Sequence, residues 1–366
     1  MKICVLGGSH LGHIQRWCQW FAQRGHKTIL ISTGKTQIKD VDIFHLNKKR
    51  GYFNVFFRII KTIRFIHKLK PDIINAHYAV GTETIAAALS LYHPFVVSVW
   101  GSDISIDPEK SPLYKILVKF VIHQADLIHT GDEYGKERLI ELGCNEKKII
   151  VQLWGIDLKL FQTDITPLEK QKKFLILSAN NWFRYRNVDI LLKAIPTVIK
   201  EIKDISFLFI GEGPLENELK NLALQLDIQD YVIFRGKIPH ADMPKYLVSS
   251  DIVVDTDKVS DNAGGGIGVT NLEAMACGVP LLLGERKYLK KVGKSLQDEP
   301  WYCSVVYDPT DPQDLGKKII MLLKDENMRK KISKKETQIA WEIGDWNKTM
   351  ETIEQTFLNE VKKNNV

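Results

Sequence analysis

The stretch Gly268-Val269-Thr270-Asn271-Leu272-Glu273-Ala274-Met275-Ala276-Cys277-Gly278-Val279-Pro280 decides the fold. Before it, the apolar run Ile252-Val253-Val254 leads into a glycine cluster at Gly264, Gly265, Gly266 and Gly268; after it, Leu281-Leu282-Leu283 reads as another strand. Strand, glycine turn, short helix and second apolar strand make one β-α-β step of a parallel sheet. The glycines clear side chains from a place where backbone approaches a ligand. A helix start at Thr270 gathers amide N–H groups and the positive dipole end, a corner suited to a phosphate. Gly278 is placed to cap the helix in the left-handed region, and Pro280 then opens the strand. Glu273 has two readings: it closes a capping box with Thr270, worth ~1 kcal/mol, or it holds a ligand hydroxyl beside the phosphate. Spacing alone leaves both open.

Working outward, the 366 residues are 44% hydrophobic, enough for two domains of ordinary size with separate cores. The cysteines (Cys4, Cys18, Cys144, Cys277 and Cys303) are odd in number and scattered, without zinc spacing, as suits reduced thiols in a cytoplasmic protein. Met1-Lys2 runs directly into Ile3-Cys4-Val5-Leu6, and no apolar run approaches ~20 residues, so neither a secretory signal nor a spanning helix is expected. The net charge of +7 suggests an anionic partner without saying which.

In chain order, Lys2 to Gly8 reads as a buried strand, Ser9 to Gly12 as a turn, His13 to Arg24 as an amphipathic helix and Lys27 to Thr33 as a second strand. The turn lacks the Lys-Ser/Thr of a P-loop and the Gly-x-Gly-x-x-Gly spacing. No acid follows Ser32, which argues against a dehydrogenase and leaves a glycine corner facing a phosphate across a cleft. From Lys48 to Lys70 the chain carries Lys48, Lys49, Arg50, Arg58, Lys61, Arg64, Lys68 and Lys70 without an acid, interleaved with aromatic and aliphatic residues including Phe53, Phe56 and Phe57. This is a basic amphipathic helix whose apolar side packs on the sheet, or which docks to an anionic bilayer; both can hold together. The strand Ile73 to His77 and the segment Phe95 to Asp103 end in polar residues, where open α/β sheets bind ligands, although His77 also reads as a hydrogen-bonded core histidine. The polar linker around Pro167, Glu169, Lys170, Lys172 and Lys173 marks a boundary, giving domains 1–165 and 166–340 and a terminal helix over 341–366. The second domain restarts at Phe174 to Ser178, followed by a loop with Arg184 and Arg186. Further strands follow at Ser206 to Ile210 and Val232 to Lys237, and terminal helices over Asp311 to Leu323 and Trp341 to Val361.

The Gly268 to Pro280 motif resembles the C-terminal signature of glycosyltransferase family 4, retaining enzymes that use nucleotide sugars. Trp154-Gly155-Ile156-Asp157…Phe161 is similar to that family's interdomain signature, and Trp100-Gly101-Ser102-Asp103 to a segment of one of its branches. The resemblance covers nearly the whole chain. It implies an α/β protein of GT-B fold, two Rossmann-like doubly wound domains facing across a cleft, with the C-terminal helix crossing back to the first domain, where Trp341, Trp346 and Phe357 anchor it. Of the family's usual glutamate pair this chain keeps Glu273, which there touches the ribose, and has Gly265 where the sugar-contacting glutamate stands. Of the family's arginine and lysine on the donor diphosphate, Asn181 and Arg186 occupy the positions, with Arg184 nearby. Carried over residue by residue, the expected catalytic groups are Asp103, Arg186 and Glu273. Donor contacts fall on Gly8, Gly12, Arg184, Arg186, Lys237, Gly265, Gly266, Ile267, Gly268, Val269 and Glu273, and acceptor contacts on His10, His77 and Asp103. No metal and no cofactor beyond the nucleotide sugar are implied. The implied partners are a nucleotide sugar, a glycan or lipid-linked acceptor and an anionic membrane surface at the inner face of the membrane; no nucleic-acid module is present. A nucleotide-sugar epimerase of the same fold and a non-catalytic GT-B subunit are the alternatives, the latter prompted by Gly265 and Asn181.

Overall fold

The computed structural model describes residues 1–46, 51–257, 267–285 and 305–364, which pack as two compact units. The first comprises Met1–Leu153 and the chain from Lys348 onward; the second is Trp154–Asn347. This division precedes the polar linker near Pro167. Ile156 donates its N–H to the Gly344 carbonyl at 2.7 Å and accepts from the Trp346 N–H at 3.0 Å, tying the Gly-Ile-Asp segment to the second unit.

Strands in the first unit are β1 (Lys2–Leu6), β2 (Lys27–Ser32), β3 (Asp42–His45), β4 (Ile73–His77), β5 (Phe95–Ser98), β6 (Leu127–Thr130) and β7 (Ile149–Val151). All pair in parallel in the order β3-β2-β1-β4-β5-β6-β7. Connecting helices are α1 (Gly12–Gln23), α2 (Tyr52–Leu69), α3 (Thr82–Ser90), the short α4 (Ser102–Ser105) and α5 (Asp107–Lys110), α6 (Pro112–Gln124) and α7 (Glu133–Glu141). Strand alternation sends Cys4 and Leu6 into one core layer with Ile66, Ala87, Val121 and Leu139 from the helices.

The second unit repeats the scheme with β8 (Phe174–Ala179), β9 (Ile205–Ile210), β10 (Val232–Gly236), β11 (Ile252–Asp255), β12 (Leu281–Gly284) and β13 (Val306–Tyr307), in the order β10-β9-β8-β11-β12-β13. Among the described residues its helices are α8 (Asp189–Glu201), α9 (Glu216–Gln225), α10 (Met243–Val248), α11 (Val269–Ala276), α12 (Pro312–Lys324) and α13 (Glu326–Ile343). In both sheets the direction of winding reverses once, between β1 and β4 and between β8 and β11. Ligands of doubly wound sheets bind at the carboxyl ends of the strands flanking such a reversal.

The last helix, α14 (Trp346–Asn364), begins in the second unit and packs in the first, where Phe357 stacks on Phe21 at 5.5 Å and Glu354 meets Arg24 and His26. The single helix expected from Trp341 is therefore two. A Cβ on Gly344 would lie 2.4 Å from the Ala340 carbonyl oxygen, and the exchange with Ile156 occupies the next backbone groups. Trp341, 45% exposed, is not an anchor.

The apolar side chains of α2 divide between the two readings of that helix. Thr62 and Ile66 are buried and Phe65 stacks on Phe44 at 3.7 Å, but Phe53, Phe56 and Phe57 in the first turns are 82%, 58% and 63% exposed. Lys48, Lys49 and Arg50 lie outside the described residues. Among the described residues no helix is long and apolar enough to cross a membrane.

Candidate active site

In the second unit, β8 ends at Ala179, a 3₁₀ turn Arg184–Arg186 follows it, and β11 ends at Asp255. Arg186 is ion-paired to Asp257, with its guanidinium 5.3 Å from the Tyr185 ring centroid, and its carbonyl accepts from Thr256 Oγ1 at 2.8 Å. Asp255 Oδ1 accepts from the Asp257 N–H at 3.1 Å, and its Oδ2 accepts from Asn271 Nδ2 at 2.7 Å. A continuous chain of polar contacts thus joins Arg186 to the first turn of α11. The strand flanking the winding reversal supplies the carboxylates that fix both. Arg184 points elsewhere: it forks onto Glu218 of α9 at 2.6 and 2.9 Å on the open surface. Lys237, after β10, pairs with Glu212 at 3.1 Å among the described residues.

Helix α11 starts one residue before Thr270, with Gly268 as N-cap and no side-chain cap, so the expected capping box does not form. Glu273 instead points inward, 2% exposed, its Oε1 2.7 Å from His240 Nε2. The far end of α11 is clamped by one face of α13. Ser333 Oγ donates to the Gly278 carbonyl at 2.6 Å and Thr337 Oγ1 to that of Met275 at 2.9 Å, while Glu336 Oε2 accepts from the Leu281 N–H at 3.0 Å. Burial holds the Glu336 carboxyl well above the usual range. Gly278 adopts φ +74°, the left-handed cap expected of it, and a Cβ there would meet Thr163 at 3.0 Å. Ile267 is buried, and Gly268 and Val269 lead into the helix; Gly264, Gly265 and Gly266 lie outside the described residues.

In the first unit, Gly8, His10 and Gly12 lie on the loop between β1 and α1. The loop is closed by the Leu11 N–H on the Gly8 carbonyl at 3.0 Å and the Ser9 N–H on Ser32 Oγ at 2.8 Å. Gly8 is crowded, a Cβ there meeting the His10 ring at 2.6 Å, whereas the space beside Gly12 is open. His77 is 2% exposed, accepts from Trp100 Nε1 at 3.1 Å, lies 5.0 Å from Trp17 and has no partner on Nε2 among the described residues. Burial, followed by His13 and His129, pushes its pKa well below the ordinary value. His13 and His129 are themselves pushed down to about 4, chiefly by burial, so the cluster is neutral near pH 7. Asp103 lies in α4, just after β5. It is fully buried, with Oδ2 accepting from the Ala79 N–H at 2.8 Å and Oδ1 from the Trp100 N–H at 2.9 Å. Its carboxylate braces the loops after β4 and β5; burial raises its pKa to about 6 against those bonds.

Of the residues expected from the sequence, the structure joins Arg186 to the start of α11, the helix that carries Glu273, and leaves Arg184 and Lys237 in surface ion pairs. Asp255, Asp257 and His240 are the additions. The only sequence signal for them was polarity at strand ends. Among the described residues no group of three His, Cys, Asp or Glu side chains forms a metal cage.

Residues 162–338 match the family described as glycosyl transferases group 1, and residues 2–131 the one described as glycosyl transferase 4-like. The N-acetyl-alpha-D-glucosaminyl L-malate synthase of Bacillus anthracis is 25% identical over 353 residues, 88% of this chain and 86% of the relative. An uncharacterized glycosyltransferase of Haemophilus influenzae is 35% identical over 273 residues, 71% of this chain and 72% of the relative. Among solved structures, Anabaena HepE in complex with UDP and glucose aligns with a TM-score of 0.78 at 17% identity, over 98% of this chain and all of that one, a likeness of fold.

Proposed function

For a chain that belongs to the family 4-like glycosyltransferases, enzymes of GT-B fold, we propose retaining transfer of a sugar from a nucleoside diphosphate sugar to a hydroxyl acceptor, in glycolipid or cell-surface glycan synthesis. The observation that carries the reading is the polar chain from Arg186 through Asp257 and Asp255 to α11. The departing diphosphate gains charge as the glycosidic bond breaks. A guanidinium already fixed by Asp257, together with the first amides of α11, offers donors that need no rearrangement at that moment. Glu273, at the same helix, takes the ribose hydroxyls. The UDP and glucose complex of HepE supports a nucleotide-sugar donor. Incubation with a panel of nucleotide sugars and analysis of products tests this. Transfer, or slow donor hydrolysis with retained anomeric configuration, is expected; interconversion of the donor sugar without transfer, or no turnover, overturns it.

The acceptor is proposed to reside at an anionic membrane surface, on a specific observation. Neither α2 nor α6 contains an acidic residue, and both present apolar side chains to solvent: Phe53, Phe56 and Phe57 on α2, and Leu113, Tyr114 and Ile116 on α6. Arg58, Lys61, Arg64 and Lys68 on α2 and Lys115 and Lys119 on α6 accompany them. Aromatic side chains flanked only by cations favour the interface of an anionic bilayer, each cation contributing ~1 kcal/mol there.

A further inference from the structure

The Glu273 carboxylate is 2% exposed, and among the described residues its hydrogen-bonding partner is the His240 imidazole, 2.7 Å away. The other polar groups of α11 are engaged elsewhere or uncharged. Asn271 is committed to Asp255, and Cys277, one turn beyond Glu273, is a neutral thiol whose pKa burial and Glu273 push up to about 12. A carboxylate so enclosed needs a hydrogen-bond donor beside it to hold its direction. His240 sits in the 3₁₀ turn His240–Asp242, in the loop that leaves β10 at Gly236. Its side chain is 49% exposed on one side, and on the other it packs against the buried Phe161 ring at a centroid distance of 5.2 Å. Phe161 is fixed in turn by its N–H on the Asp157 carbonyl at 2.9 Å. One imidazole therefore joins three segments of the second unit: the turn of Asp157 to Phe161, the loop after β10, and the helix that carries Glu273.

We propose that His240 is a positioning residue for the nucleotide. Braced on Phe161, it aims the Glu273 carboxylate and ties it to the loop Lys237–Asp242, so the grip on the ribose and the placement of that loop are set together. This rests on Glu273 meeting the ribose, as assigned above. Replacement by phenylalanine keeps a ring against Phe161 but removes the N–H; replacement by glutamine restores a donor.

The test is calorimetric titration of UDP and of GDP into wild type, His240→Phe, His240→Gln, Glu273→Gln and the double variant His240→Phe/Glu273→Gln, with donor kcat and KM measured alongside. His240→Phe is expected to weaken the nucleoside diphosphate that binds by about tenfold, the loss of one hydrogen bond to a charged group, and to raise donor KM more than it lowers kcat. His240→Gln should recover most of the affinity, and His240→Phe should cost nothing further in the Glu273→Gln background, because the two act as one unit. Wild-type affinity in His240→Phe, or an equal loss in both backgrounds, overturns the proposal. Failure of wild type to bind either nucleotide overturns the donor reading itself. Weakening by Glu273→Gln with an unaffected His240→Phe overturns the role of His240 alone.

Discussion

Arg186 and Arg184 stand two residues apart in one turn, yet the structure predicts opposite outcomes for their removal. The Arg186 side chain is 33% exposed and paired to a 23% exposed Asp257; that of Arg184 is 75% exposed and paired to a 55% exposed Glu218. Losing one preorganised donor to a developing oxyanion costs ~2–4 kcal/mol in a water-excluded site, and the residual exposure of Arg186 places it in the lower half of that range. At 1.36 kcal/mol per decade, Arg186→Ala should lower donor kcat/KM by roughly 30- to 150-fold. Arg184→Ala removes a water-screened surface pair and should change kcat/KM by less than about threefold. Arg186→Lys, which keeps the charge but not the planar fork, should fall between wild type and Arg186→Ala. The assay is steady-state transfer with varied donor at saturating acceptor, with thermal melts to separate catalysis from folding. Arg186→Ala leaves the Asp257 carboxylate without its cation, and a stability loss of ~1–2 kcal/mol is expected from that alone. An unchanged kcat/KM for Arg186→Ala, or an equal loss for Arg184→Ala, would refute the assignment of the leaving diphosphate to Arg186.

Glu273→Gln should weaken nucleoside diphosphate binding about tenfold with little change in Tm, since glutamine still fits beside His240; equal affinity by calorimetry would remove Glu273 from the ribose. Asp103, with its pKa raised from 3.8 to about 6, holds a proton in the folded state that the unfolded chain has already released between those pH values. The fold binds more protons across that window, so this group's contribution to stability is lost as pH rises from about 4 to about 6. Urea unfolding of wild type against Asp103→Asn should therefore show their difference shifting against wild type by up to about 3 kcal/mol over that interval, and a pH-independent difference would refute the raised pKa. The protein should co-sediment with phosphatidylserine vesicles at low salt, and the combined Phe53→Ser, Phe56→Ser, Phe57→Ser variant should lose most of that binding. No sedimentation, or wild-type binding by the variant, would sink the membrane reading.

The strands and the main β-α-β steps were legible in the sequence because buried parallel strands are short apolar runs and their boundaries carry glycine and proline, as at Gly278 and Pro280. The polar partnerships were not. Thr270 and Glu273 have capping-box spacing, but Gly268 serves as N-cap and the glutamate turns to a histidine 33 residues away in the chain; Arg186 and Asp257 are 71 apart. No local pattern encodes such pairings, because they follow from which strand ends the sheet order places side by side. The two faces of α2 have the same origin. Its periodicity marks an apolar stripe, but whether that stripe is covered depends on its neighbours, and they leave Phe53, Phe56 and Phe57 in solvent while Ile66 is buried.

The two sheets wind in the same order, so topology alone offers each the same kind of strand-end crevice, and side-chain chemistry has to divide the labour between them. At the reversal in the first sheet, His13, His77 and His129 are held neutral by burial and Asp103 is consumed as a brace. That corner offers an anion the first backbone N–H groups of α1 and the Arg16 guanidinium of the same helix, whose charge helps hold His13 neutral. At the reversal in the second sheet a permanent cation, Arg186, is fixed by Asp257 and linked through Asp255 to α11. A diphosphate whose charge grows during reaction is stabilised by a charge already in place more than by neutral rings. We therefore propose that the leaving group sits in the second unit, where Asp257 and the link through Asp255 to α11 already hold Arg186 in place.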